Sequence, residues 1–237
     1  MKLFRKSRSK LIKNEGVFKY LIYAFGEILL VVLGILIAVY LNNWNEERKE
    51  AKELENILSI IKDDLENDIK EAKEVIQFEE GKNNLYQRFF DEDLIAKDYK
   101  ENIRYRRLIF GFKEISFNKR GFELLNNYKN SLEISNDVLI TLILELYSDR
   151  IEEVHADNAL RNLDFEINYK YWKNQDWWSN YIREEIDDKF IDYALTSQDY
   201  KNRVASWHFI TFKAFIPELE DFIKEAEKIH SLIENRK

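Results

Sequence analysis

Tyr20 to Leu41 reads YLIYAFGEILLVVLGILIAVYL, with Glu27 the single charged residue. As a helix this stretch is about 33 Å long, close to the roughly 30 Å hydrocarbon core of a bilayer. A buried helix of a soluble domain keeps one polar face, and this segment has none over its whole length. Tyr20 and Tyr23 flank one end, and Tyr40 and Trp44 the other, where amphipathic rings favour the headgroup levels. A transmembrane helix over 20–41 is therefore expected. A cleaved signal peptide would carry a shorter apolar core and small residues at a cleavage site. Here the run ends instead in Tyr40-Leu41-Asn42-Asn43-Trp44, so a retained signal anchor is expected.

Charge orients the anchor. Residues 1–19 hold Lys2, Arg5, Lys6, Arg8, Lys10, Lys13 and Lys19 against Glu15 alone, a net of +6, and the rest of the chain sums to −13. The flank after the helix, Asn45 to Glu53, mixes both signs. The positive-inside rule then keeps a basic arm (1–19) in the cytoplasm. It exports residues 42–237 across the inner (plasma) membrane, as a periplasmic or extracytoplasmic domain. So acidic a domain is a poor partner for nucleic acid, since neutralising phosphates takes clustered Lys and Arg.

The exported part reads as all-α. Glycine (6 residues) and proline (1) are too scarce for the tight turns of β-sandwiches and barrels. From Trp44 to Lys82 the apolar residues Ala51, Leu54, Leu58, Ile61, Leu65, Ile69, Ala72 and Ile76 fall in steps of 3 and 4. This predicts a helix continuing out of the membrane without a linker, with domain and anchor moving as one piece. The doubled step of 4 at 61–65–69 breaks heptad register and favours bundle packing over a two-stranded coiled coil.

Shorter helices are expected near 83–96, 100–110 and 120–130, with an extended stretch at 109–117 as an alternative. Ser135-Asn136-Asp137 supplies a cap for a second long helix reaching about Trp172. Its inward residues are read as Val138, Leu142, Leu146, Ile151, Val154, Leu160, Leu163 and Ile167. A shorter helix follows at 180–195. Ser197 then caps a last long helix, with Val204, Phe209, Phe212, Ile216, Leu219, Phe222, Ile223, Ala226, Ile229 and Ile233 inward. Pro217 lies inside that pattern, which calls for a kink or break near Ala214–Ile216. Together these make an elongated antiparallel helical bundle.

The run Gly26-Glu27-Ile28-Leu29-Leu30-Val31-Val32-Leu33-Gly34-Ile35-Leu36-Ile37-Ala38, followed by Asn42-Asn43-Trp44-Asn45-Glu46, resembles a bacterial family of small single-span membrane proteins. Its carboxy-terminal domain is of unknown function. A weaker likeness continues through Phe117-Asn118-Lys119-Arg120-Gly121-Phe122-Glu123-Leu124 and Ile134-Ser135-Asn136. The resemblance implies the same topology and a helical exported domain. It implies no activity.

Candidate sites follow from what sits where it is costly or unusual. Glu27 lies roughly 5 Å from the bilayer centre along the helix, where an unpaired carboxylate costs about 2.5–3.5 kcal/mol. It is read either as a docking or oligomer-forming group or as a proton-linked one. Gly26, Leu30, Gly34 and Ala38 recur every four residues beside it. Small side chains let helices approach closely in lipid, so this stripe is the expected contact face toward another membrane protein or a second copy. The aromatic run Tyr169 to Tyr181 is expected to form an interhelix corner, with some of Tyr171, Trp177 and Trp178 exposed as a ligand or partner surface.

Enzymatic signals are missing. There is no cysteine, no glycine-rich phosphate loop, no G-x-S-x-G elbow and no H-E-x-x-H motif. Glu152…His155 and Glu227…His230 have the spacing of half a di-iron site but stand off the apolar faces. His208 reads as a packing residue. No catalytic residue, cofactor or metal is expected. The chain is read as a membrane-anchored binding or scaffolding domain, with an ion-coupled membrane subunit using Glu27 as the alternative.

Overall fold

The computed structural model describes residues 17–128 and 137–236. Most of the basic arm, the Ser135-Asn136 part of the expected cap and the last two positions of the expected 120–130 helix lie outside them. Every regular element among the described residues is helical, as composition predicted. The chain divides into two compact units, residues 1–56 and 57–237.

The described part of the first unit is helical throughout and belongs to α1, Val17–Glu80, which crosses the division at Asn56. It includes an 18-residue window of mean hydropathy 2.6, none of it buried, long and apolar enough to cross a membrane. Leu30 and Tyr40 are about as exposed as free side chains, at 69% and 70%.

The second unit holds the rest of α1, then α2 (Asn83–Phe90), α3 (Ala96–Glu101), α4 (Ile103–Arg106) and α5 (Arg120–Tyr128). After these come α6 (Val138–Glu145) and α7 (Ile151–Trp172), joined by a π-helical turn at Leu146–Arg150. Next are α8 (Trp178–Ile182), α9 (Asp188–Thr196), α10 (Gln198–Phe209), a second π-turn at Ile210–Phe215 and α11 (Ile216–Glu234). Asp137 caps α6, accepting from the Leu139 N–H at 2.9 Å, and Arg236 reaches back to the same carboxylate at 2.7 Å. Ser197 caps α10 by accepting from Tyr200 N–H at 3.5 Å.

Where a kink or break was expected, regular α-helical winding gives way to the π-turn Ile210–Phe215 and resumes at Ile216. Having no N–H, Pro217 leaves a carbonyl in the preceding turn without its usual donor, and the π-turn ends two residues before it. The helix runs on into α11 with Pro217 in its first turn.

The expected 100–110 helix stops at Arg106, and the stretch 109–117, for which an extended segment was the alternative, is non-helical without forming a strand. Residues 111–119 instead lie as an irregular strap whose backbone donors meet carboxylates of α1. Asn118 N–H donates to Asp68 at 3.1 Å, Ser116 N–H to Glu71 at 3.4 Å, and Gly121 N–H, at the start of α5, to Asp64 at 2.9 Å. A Cβ on Gly121 would stand 2.6 Å from Ile61 Cγ1 and 2.9 Å from Ile61 N, so only glycine permits this approach.

The strap also fixes helix direction. Going from 121 back to 113 it climbs α1 from Asp64 to Glu74. Along the same path it climbs the second helix, with Phe122 stacked on Tyr147, Lys119 paired with Glu152, Phe117 against His155, and the Lys113 carbonyl accepting from Arg161. Thus α1 and α6–α7 run parallel, a correction to the all-antiparallel bundle expected from sequence. The pairs Asp137–Arg236, Arg150–Glu225 and Asn168–Arg203 show α10–α11 running against α6–α7.

The buried faces differ from the apolar stripes by one residue. On α1 the buried line is Leu58, Ile61, Leu65, Asp68, Ala72, Val75 and Glu79, an unbroken 3–4 alternation. The apparent break at 61–65–69 came from counting Ile69 in place of Asp68. On α7 the buried positions are Ile151, Val154, Arg161, Asn168 and Trp172, while Leu160, Leu163 and Ile167 are 44%, 53% and 51% exposed. Val138, at 73%, and Phe209, at 63%, are likewise outside the core that the sequence reading gave them.

Candidate functional site

The second unit is densest in rings where α7, α8, α9 and α10 meet. Trp172 is the hub, with Trp177 at 5.5 Å, Tyr181 at 5.8 Å and Tyr200 at 5.9 Å between centroids. The aromatic corner expected at 169–181 is therefore present, but its parts differ in role. Trp177 is buried, wedged against Phe190 at 5.0 Å, so it is a core residue and not a surface one. Tyr171 is exposed, with the Arg203 guanidinium 4.0 Å from its ring centre. Trp178 is half-buried and stacks on Tyr181 at 5.6 Å.

Phe110 stands where this corner meets the carboxy-terminal end of α1. Its ring lies 4.9 Å from Trp172, 5.2 Å from Phe165 and 6.1 Å from Trp178. Two concavities share Phe110, Arg107 and Gly111. The first, about 260 Å³, is completed by Phe78, Lys82, Leu85, Ile103 and Arg104. The second, about 160 Å³, is completed by Phe165, Tyr169, Trp178, Tyr181 and Ile182. Sharing these residues, they lie side by side about Phe110 as the basic end and the aromatic end of a groove.

Local geometry holds the basic end in place. Gly111 adopts φ +84°, a left-handed conformation that favours glycine, and its carbonyl accepts from Lys82 Nζ at 2.5 Å. Tyr86 and Tyr181 donate their hydroxyls to the Leu108 and Arg106 carbonyls at 2.5 and 2.7 Å, pinning the backbone between. Glu184, a non-glycine residue at φ +64°, turns its carbonyl toward Arg106 Nη1 at 3.2 Å while its carboxylate pairs with Arg107. Such strained positions persist only where surrounding contacts hold them.

Beneath the groove lies a buried charge cluster. Glu79 bridges Lys82 at 2.8 Å and Arg161 at 2.8 Å. Burial pushes the Lys82 ammonium below its ordinary range, and Glu79 pulls it back. Arg104 Nη2 donates to the Gly81 carbonyl at 2.6 Å, and among the described residues no carboxylate pairs with it. The signal for this end was visible as Arg104-Tyr105-Arg106-Arg107, a basic run in an acidic domain, though nothing in the spacing joins it to Lys82.

The remaining candidates are placed apart from the groove. Gly26, Glu27 and Leu30 border an open flank lined by Ile22 to Val31 of α1 alone. A Cβ at Gly26 or Gly34 would meet nothing within 4 Å, and Ala38, one turn beyond Gly34, is exposed, which leaves that stripe accessible. Glu152 and Glu227 are engaged by Lys119 and Lys73. No group of three or more His, Asp or Glu suited to a metal ion occurs among the described residues. His208 packs between Phe212 at 4.8 Å and Tyr86 and Phe90 at 5.1 Å, and burial followed by Lys213 lowers its pKa.

Residues 27–110 match a family of unknown function, DUF6090. The matched stretch takes in the apolar part of α1 from Glu27 onward and the basic end of the groove through Phe110. No curated protein matches the chain, and no solved structure does.

Proposed function

We propose that the chain is a single-span membrane protein whose amino terminus is cytoplasmic and whose acidic helical domain, exported to the envelope, holds a ligand or partner in the groove around Phe110. It is a binding module and not an enzyme. The lipid bilayer holds the apolar part of α1, and the Gly26–Leu30–Gly34–Ala38 stripe with Glu27 faces another membrane helix. The observation that carries this reading is the groove itself. It gathers Lys82, Arg104 and Arg107 beside aromatic and aliphatic walls, in a chain whose residues 20–237 sum to −13. Concave apolar sites with a few convergent polar groups are the usual form of small-molecule sites.

The chain's lack of cysteine gives a clean test of topology. Single cysteines placed at Lys6 and Lys170 should react oppositely with a membrane-impermeant thiol reagent on whole cells, only the second being labelled. Labelling of Lys6→Cys alone would invert the topology. Occupancy of the groove is tested by native mass spectrometry of the intact chain extracted at native expression. Ile103, half-buried at the basic end, is replaced by Trp to fill the groove. A bound molecule present on the native chain and lost from Ile103→Trp supports the reading. A chain that carries nothing, or carries it equally in both forms, sinks it.

A further inference from the structure

The charges around the groove do not balance. Glu79 is shared by Lys82 and Arg161, so that buried trio carries one positive charge in excess. Arg104 has a carbonyl partner only, and Arg106 likewise meets only the Glu184 and Glu185 carbonyls, at 3.2 Å each. Arg107 is neutralised by Glu184. The Lys113 ammonium beyond Phe78 is neutralised by Glu74 at 3.8 Å. Arg106 does not line the groove, so two cationic charges at this end, Arg104 and the excess of the buried trio, lack a carboxylate among the described residues.

Donors remain as well as charge. A guanidinium has five N–H groups and an ammonium three. Arg104 spends one on Gly81, and Lys82 spends two, on Glu79 and Gly111. The walls next to these donors are Leu85, Ile103, Phe78 and the ring of Phe110. Water alone satisfies the cations but gains nothing from such walls, whereas an apolar ligand alone leaves the charges stranded.

We infer that the groove takes an amphiphilic oxyanion: a phosphate- or carboxylate-type group at Arg104 and Lys82, with the Arg107 N–H groups not spent on Glu184 as further donors, and an aromatic or hydrocarbon body against Phe110 and its neighbours. This deepens the binding role proposed above and rests on it. A lipid headgroup with its first methylenes and a free aromatic or acyl phosphate share this chemistry. The lowered pKa of Lys82 agrees, since an anion beside it restores the charged form that burial disfavours.

The test uses the intact chain in nanodiscs of zwitterionic lipid, with phenyl phosphate as the probe and isothermal calorimetry as the readout. Phenyl phosphate should bind at least about tenfold more tightly than inorganic phosphate or benzyl alcohol, each of which supplies one half of the recognition. Arg104→Gln and Arg107→Gln, both at exposed positions, should each weaken it about tenfold with unchanged unfolding midpoints. Lys170→Gln, on the far side of α7 from the core, should leave it alone. Benzyl alcohol binding as well as phenyl phosphate, or indifference to both arginine substitutions, overturns the anion while leaving the groove as a binding site. If no probe binds and Ile103→Trp also releases nothing, the binding role itself falls. Repeating the titration with phosphatidylglycerol in the disc separates the sources. Competition that weakens phenyl phosphate assigns the site to a headgroup, and unchanged affinity assigns it to a free amphiphile.

Discussion

Arg161 Nη2 and Glu79 Oε1 meet at 2.8 Å with neither side chain exposed to solvent. The guanidinium is enclosed by Phe215, Phe112 and Trp207, whose ring centres lie 4.0, 5.0 and 5.6 Å away, and the second carboxylate oxygen holds Lys82. Both residues occupy buried positions of their helices beside aliphatic neighbours such as Val75 and Val154. Parallel helices α1 and α7 are thus joined in their interior by a charge pair.

Removing one member of that pair should be far worse than removing both. Glu79→Gln leaves Arg161 desolvated and under-compensated, and should cost about 3–5 kcal/mol in denaturant unfolding. Glu79→Leu combined with Arg161→Leu should recover most of the loss, since Lys82 can turn toward the groove mouth. Equal damage from the double and single variants would contradict the pairing.

Asp68 gives the domain an acid-side stability gain. Burial pushes its carboxyl up from 3.8 to about 6, against hydrogen bonds from the Asn118 backbone and side chain that lower it, with Asp64 and Glu71 adding repulsion. The native state therefore keeps a proton that the unfolded chain releases near pH 4. The stabilisation is complete below the unfolded value and is lost as pH rises through about 6. The wild type minus Asp68→Asn difference in unfolding free energy should shift in favour of the wild type on acidification from pH 7 to pH 4. A flat difference would place the titration elsewhere.

Gly121→Ala should destabilise by about 1–3 kcal/mol, as overpacking does in well-filled interiors. Trimming Ile61 should not rescue it, because the inserted methyl would also stand 2.9 Å from the Ile61 nitrogen and 3.0 Å from its Cα. Rescue by Ile61→Ala, read from unfolding midpoints, would mean that the conflict is with the side chain alone.

Leu163→Ser should change stability by no more than about 0.5 kcal/mol, the range for exposed sites. Asn168→Leu, at a neighbouring buried position, should cost more, because it strips Arg203 and Asp164 of the hydrogen bonds that Asn168 makes at 2.8 and 2.9 Å. The reverse order would restore the apolar stripe as the core face.

What sequence reading captured was governed by composition or by local chemistry. The apolar run of α1 needs no partner to be recognised, and the caps at Asp137 and Ser197 are set by residues within one turn. Helix faces were misread for a physical reason. Asp68, Glu79, Arg161 and Asn168 lie inside because their partners come from distant segments, and pattern reading cannot know that. The flanking Ile69, Ile76, Leu163 and Ile167 then attract the stripe one residue aside, about 100° around the helix. The candidate site was half legible. Aromatic density marked the corner near Trp178, but the basic end needs Lys82, Arg104 and Arg107 brought together by the turns around Gly81 and Gly111.

The two π-turns make the helices tolerant of a kind of change that helices rarely survive. In a regular α-helix, loss of one residue rotates everything beyond it by about 100° and takes the downstream face out of the core. At Leu146–Arg150 and Ile210–Phe215 the chain already carries one residue more than α-helical winding needs. Deleting Ser148, which is exposed, would let that turn relax to ordinary helix while Ile151, Val154 and Arg161 stay aimed inward. These segments are therefore the points along α6–α7 and α10–α11 where the length of the chain can vary without loss of its packing.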